Sequence, residues 1–201
     1  MSPDARPLRV VAVSGSLTAS SRTTALVEGI TAAFASVLTV ESHLITLHDL
    51  GPHLAGALTR GQLPPEAEEQ LQRIENADLL VVATPVYRAS FTGLFKHLFD
   101  FVDQYALVDT PVLLAATGGS ERHALLVEHQ MRPLFGFFQS TTLPIGVFGN
   151  ERDFTKRDGG SDIANVDLEL RIDQAVQRAL PLIRGGFATA ATTDVRRPAD
   201  F

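Results

Sequence analysis

Seven hydroxyl side chains and one arginine crowd the stretch from Ser14 to Thr24: Ser14, Ser16, Thr18, Ser20, Ser21, Thr23 and Thr24, with Arg22 among them. They follow Val10-Val11-Ala12-Val13, a run of β-branched and small apolar residues ended by Gly15, which reads as a buried strand of a parallel sheet. The amphipathic segment 25–34 that comes next reads as a helix. Unpaired N–H groups of a first helical turn and the positive end of its dipole favour an anion. Hydroxyls and amides would bind a phosphate there by hydrogen bonds, and Arg22 would add a charge-assisted pair. A serine-rich turn with an ordinary helix cap is the plainer alternative for the same residues.

The kind of phosphate is narrowed by two missing motifs. The chain has no G-x-G-x-x-G and no G-x-x-x-x-G-K-[ST], so the dinucleotide fingerprint and the nucleoside-triphosphate loop are both lacking. A single terminal phosphate, as in FMN or a sugar phosphate, fits a hydroxyl-lined cup. Two further loops carry chemistry. Pro85-Val86-Tyr87-Arg88-Ala89-Ser90 offers an aromatic ring, an arginine and a hydroxyl, and Thr117-Gly118-Gly119-Ser120 offers glycines that let backbone amides approach a flat ring.

These loops must be positioned by alternating strands and helices. Apolar runs predict strands over 8–14, 40–47, 78–84, 112–116 and 143–148. Helical spacing predicts helices over 22–35, 64–76, 91–102, 121–139 and 166–183, with a polar connection over 48–64. Such alternation implies a parallel sheet covered on both faces, and right-handed crossovers favour the flavodoxin-like order 2-1-3-4-5, a three-layer α/β sandwich. Ligands of such sheets bind beyond the carboxyl ends of the strands, at the switch point between strands one and three, where all three loops meet. A phosphate at one end and a planar polar ring at the other suit FMN better than a sugar phosphate. The length suggests one FMN-binding domain over 1–184, and the Gly-, Ala- and Thr-rich segment 185–201 reads as a mobile tail.

Composition sets the outer bounds. Seventeen basic against 23 acidic residues give a net charge of −6, which disfavours nucleic acid or an anionic membrane as a partner. With no cysteine, disulfides, thiolate metal sites and a cysteine nucleophile are excluded. The six histidines show no H-E-x-x-H, so no metal site is expected, and the absence of G-x-S-x-G argues against a serine hydrolase. Met1-Ser2-Pro3-Asp4-Ala5-Arg6-Pro7 carries no apolar signal segment, so a cytoplasmic protein is expected.

Three motifs at matching spacings resemble the NADPH-dependent FMN reductase family: Ser14-Gly15-Ser16 with Ser20-Ser21-Arg22-Thr23, Thr84 to Ser90, and Ala116 to Ser120. Phe91-Thr92-Gly93-Leu94-Phe95-Lys96-His97 and Gly119-Ser120-Glu121-Arg122-His123 are similar to the flavin reductases of bacterial sulfonate utilisation, the methanesulfonate branch above all. The resemblance implies phosphate contacts from Ser14, Ser16, Ser21, Arg22 and Thr23. It implies ring contacts from Pro85, Val86, Tyr87, Arg88, Ser90, Thr117, Gly118, Gly119 and Ser120. It also implies NADH or NADPH as reductant, a homo-dimer or tetramer, and a flavin-dependent monooxygenase that receives reduced FMN. The flavin accepts the hydride, so no acid or base is assigned; Arg88 is the candidate contact for the pyridine nucleotide. A quinone or azo reductase that keeps its FMN, and a flavodoxin-type electron carrier, are the alternative readings.

Pro133 lacks an N–H, so the carbonyl of His129 loses its helical partner and the helix should kink or widen there. In the family's alkanesulfonate branch a tyrosine stands at the place of His129. Phe91, Phe95, Phe99, Phe101, Phe135, Phe137 and Phe138 are more aromatic area than the sheet faces of two helices require, which suggests burial against another subunit, with a deep core as the alternative.

Overall fold

The computed structural model describes residues 6–190, with side chains up to residue 185. Strands β1 (Leu8–Ser14), β2 (Val40–Thr46), β3 (Leu79–Pro85) and β4 (Pro111–Gly118) run parallel in the order β2-β1-β3-β4. The position outside β4 is shared by β5 (Thr141–Thr142) and β6 (Val147–Asn150), both parallel to β4. The expected order is therefore found, whereas the expected unbroken last strand over 143–148 is not. Pro144 has no ladder donor, and pairing stops between the two pieces. There Gly146 leaves no room for a side chain, because a Cβ would lie 2.4 Å from Val127 Cγ1.

Helices α1 (Arg22–Ala35) and α6 (Val166–Ala190) cover one face, where Leu26, Ile30, Phe34, Ile172 and Val176 meet Val10, Ala12, Val81 and Leu113. On the other face α2 (Leu47–Leu54), α3 (Pro65–Glu75), α4 (Gly93–Asp100) and α5 (Arg132–Phe137) meet Val11, Val13, Leu80, Val82 and Leu114. Neighbouring strand residues thus bury on opposite faces, which is why the strands read as continuous apolar runs. Helix α2 corrects the expected polar connection over 48–64: Leu47, Leu50, Gly51 and Leu54 are buried at helical spacing despite Pro52. The last helix continues past 183 to Ala190, and residues 191–201 of the expected tail lie outside the described residues.

The expected helix over 121–139 is broken into a 3₁₀ turn at Glu121–His123, a widened turn at Val127–Met131, and α5. In the widened turn the Arg132 N–H donates to the Val127 carbonyl, five residues back, in place of the usual four. The widening expected from Pro133 is therefore present. The aromatic expectation needs correcting. Phe95, Phe99, Phe101, Phe135 and Phe138 are buried within this one chain, and Phe91 packs against the same cluster. Ring centroids of Phe99 lie 4.9 Å from those of Phe95 and Phe135, so the rings join α4 to α5. Of the seven, only Phe137 is exposed, at 64%.

A hairpin unforeseen in the sequence follows β6: β7 (Phe154–Arg157) pairs antiparallel with β8 (Gly160–Ile163). Its turn is Asp158-Gly159, with Gly159 at φ +77°. The hairpin packs closely on α1, where a Cβ at Gly29 would lie 2.6 Å from Ile163 Cδ1. Among the described residues no helix is long and apolar enough to cross a membrane.

Candidate functional site: a hydroxyl-lined cleft at the carboxyl edge of the sheet

The ends of β1, β3 and β4 open onto one cleft of about 320 Å³, lined by Ser16, Thr18, Ser20, Ser21, Arg22, Thr23, Pro85, Tyr87 and Thr117 and, across from them, by Glu151, Phe154, Thr155, Lys156 and Ser161. Hydroxyl side chains make up most of this lining, and Arg22 and Lys156 bring positive charge, the composition of an anion site.

At the anion end, Ser21 caps α1: its Oγ accepts from the N–H of Thr23 at 3.1 Å and of Thr24 at 3.4 Å. Ser16 and Ser21 are nevertheless almost wholly buried, as a cup closed on all but one side requires. Ser14 is buried and shares a 2.8 Å hydrogen bond with Thr24, which fixes the exit of β1 behind the cup and keeps Ser14 off the cleft wall. Gly15 allows a close crossing with β3, since its N–H donates to the Ala83 carbonyl at 2.7 Å and a Cβ would lie 2.9 Å from Phe95. Thr23 shares a 2.6 Å hydrogen bond with Thr117, so the cup is joined to the end of β4.

At the other end, the Val86 N–H donates to the Thr117 carbonyl at 2.8 Å, holding the second loop against the third. Tyr87 and Ser90 exchange backbone hydrogen bonds of 2.8 and 3.0 Å across a tight turn whose tip residues, Arg88 and Ala89, have φ of 51° and 64°. The left-handed region costs an L-residue about 1–2 kcal/mol, so other contacts must hold this turn. Tyr87 stands half exposed on the cleft, while Val86, Arg88, Ser90, Gly118, Gly119 and Ser120 lie outside its lining. Gly118 and Gly119 differ. A Cβ at Gly118 would lie 3.1 Å from Phe148 and 3.3 Å from His123 Nδ1, whereas one at Gly119 would meet only Glu151, at 3.9 Å. Gly119 thus leaves its backbone open to a flat ligand. The Ser120 Oγ accepts from the Arg122 N–H at 3.3 Å, which starts the 3₁₀ turn. His123 Nδ1 is buried beside Gly118 with no hydrogen-bond partner among the described residues.

The hairpin wall is what the motif reading misses. Asp158-Gly159 between short alternating segments is a hairpin signal, but four-residue strands carry too few alternations to stand out. Asp153 anchors its base: wholly buried, its carboxylate accepts from the Asn150 N–H at 2.8 Å and from Asn165 Nδ2 at 2.5 Å. Arg22, the cation of the cup, pairs with Glu151 at the hairpin's start. Below the second loop, Arg132 holds Glu128 under the usual carboxylate range by a two-pronged hydrogen bond of 2.6 and 2.8 Å. Among the described residues no cluster of three or more His, Cys, Asp or Glu is placed to hold a metal.

Comparison with known proteins agrees with this layout. Residues 8–155 match the family model described as NADPH-dependent FMN reductase. The chain is 55% identical to the "NADH-dependent FMN reductase SfnF" of Pseudomonas fluorescens, over 88% of this chain and 92% of that one. It is 51% identical to the "FMN reductase (NADPH)" of Pseudomonas aeruginosa, over 89% of this chain and 94% of that one. The fold superposes on an oxidoreductase crystal structure from Corynebacterium diphtheriae with a TM-score of 0.76, at 33% identity and covering 90% of this chain and 99% of that one.

Proposed function

The chain belongs to the NADPH-dependent FMN reductase family, and from that premise we propose that it moves a hydride from NADH or NADPH to FMN and releases the reduced flavin. The observation that carries this reading is the cleft itself: a cup of hydroxyls at the start of a 14-residue helix, tied through Thr23 and Thr117 to the end of β4, just before Gly118 and Gly119. Bound FMN would supply the hydride acceptor, so the protein's part is to orient and exclude.

Ser16, Ser21 and Thr23 with the first amides of α1 would take the phosphate, and Arg22 and Lys156 would balance its charge. Ser14 would act at one remove, by holding Thr24. Pro85, Val86 and Tyr87 would border one side of the ring. Thr117, Gly118, Gly119 and Ser120 would present backbone to its polar edge, near His123 Nδ1, which has no hydrogen-bond partner among the described residues. Arg88 and Ser90 would act from the rim, Arg88 toward the pyridine nucleotide. Amides and hydroxyls aimed at the ring favour the added negative charge of the reduced form.

The finer steps belong to the same proposal: assembly as a homo-dimer or tetramer, work in the cytoplasm, and transfer of reduced FMN to a flavin-dependent monooxygenase of organosulfur metabolism. Support for the last comes from the likeness to SfnF and from the sulfonate-branch motifs. Initial rates of NADH and NADPH oxidation, with free FMN varied, test the core reading. Saturable dependence on FMN supports it; oxidation indifferent to added FMN counts against it.

A further inference from the structure

Two consecutive left-handed residues, Arg88 and Ala89, form the tip of the Tyr87–Ser90 turn, and neither is glycine. Such backbone persists only where its surroundings over-determine it. The extra restraint is Gln130. Its amide NH₂ donates to the Ala89 carbonyl at 2.9 Å, and its amide oxygen accepts from the Ser90 hydroxyl at 2.5 Å. Both ends of one side chain are thus spent on one turn.

Gln130 reaches the loop from inside the widened turn Val127–Met131. A turn closed five residues back holds one residue more than an ordinary helical turn, and restoring the ordinary register would rotate the residues beyond it by about 100°. Gln130 lies within the widened turn itself, so a change of register there would shift it relative to Ala89 and Ser90. Three features keep the turn wide: Pro133 offers no N–H, the Arg132 N–H serves Val127, and the Arg132 guanidinium is held by Glu128 and by the Leu143 carbonyl at 3.1 Å.

We propose that Gln130 is a positioning residue for the ring end of the cleft, which clamps the Arg88-Ala89 turn in its left-handed form, and that the widened turn serves to aim it. The proposal rests on the reading of the cleft as an FMN site. Without the clamp the turn relaxes toward ordinary backbone and Tyr87, at its foot, leaves the cleft wall.

The test is equilibrium titration of the full chain with FMN and with riboflavin, which has the same ring and no phosphate, together with displacement of FMN by inorganic phosphate. In Q130A the dissociation constants for FMN and riboflavin should rise together by about tenfold, while the displacement constant of phosphate stays within about twofold, because only the ring end loses order. Glycine adopts a positive φ without strain, so A89G added to Q130A should recover most of the lost affinity. Unchanged flavin binding in Q130A overturns the proposal. So does a parallel loss of flavin and phosphate affinity that A89G does not rescue, since that marks general damage. Wild-type protein that binds neither flavin would instead overturn the FMN reading beneath it.

Discussion

Thr23 Oγ1 lies 2.6 Å from Thr117 Oγ1, with both side chains buried, so one hydroxyl pair joins the start of α1 to the end of β4. In T117V the shape is kept and the Thr23 hydroxyl loses its buried partner, at about 1–3 kcal/mol. FMN affinity should fall at least about fivefold, measured by fluorescence titration. Unaltered affinity would mean that the two ends of the cleft are positioned independently.

Glu151 brings a carboxylate into the anion cup, paired with Arg22 and facing Gly119. A phosphate bound as proposed would compete with it for the same guanidinium. In E151Q we expect FMN to bind about three- to tenfold more tightly at low salt, with the gain shrinking as salt screens it. Riboflavin binding should not change. Weaker FMN binding in E151Q would show that Glu151 orients Arg22 for the phosphate.

Asp78, at the foot of β3, couples acid to stability. Burial pushes its carboxyl up, but the Arg6 guanidinium at 2.5 and 2.9 Å, the Arg9 side chain and the Arg9 N–H at 2.8 Å outweigh this and hold it well below the usual range. A folded pKa below the unfolded value of about 3.9 gives stability that is complete above that value. It is lost as pH falls through the folded pKa. D78N should therefore be less stable than wild type at neutral pH by about 1–3 kcal/mol, and the two unfolding curves should converge as the pH drops below about 4.

Gly146 faces Val127 at the start of the widened turn, and a Cβ there would lie 2.4 Å from Val127 Cγ1 and 3.3 Å from the Leu114 carbonyl. G146A must push the turn or the strand. The expected cost is about 1–3 kcal/mol, read as a fall in the thermal midpoint of about 2–4 °C per kcal/mol. An unchanged midpoint would show the turn to be soft, too soft to aim Gln130.

Much of the architecture is legible in the residues themselves. Strand β1 and helix α1 are readable to their ends, because a buried apolar run meets a hydroxyl-rich turn with Ser21 as the cap. The widened turn is foretold by Pro133 alone. Helix α2 is hidden because Gly51 and Pro52 look like breakers, yet burial of Leu47, Leu50 and Leu54 outweighs them, and Gly51 is where α2 meets Leu94 of α4, a Cβ there lying 2.7 Å from Leu94 Cδ2. The phenylalanines mislead because ring area says nothing about which surface covers it. Gln130 is invisible to motif reading, since its two partners lie 40 and 41 residues earlier and meet it only across a helix of irregular pitch.

The most direct measurement is anaerobic: a small amount of protein with excess NADH or NADPH and FMN in large molar excess over protein, monitored by loss of the oxidised flavin's visible absorbance. Complete bleaching of the FMN, far beyond one equivalent per chain, is expected of a reductase that turns flavin over as substrate. Bleaching that stops at one equivalent per chain would contradict release of the reduced flavin, and no bleaching with either nucleotide would contradict the reductase assignment itself.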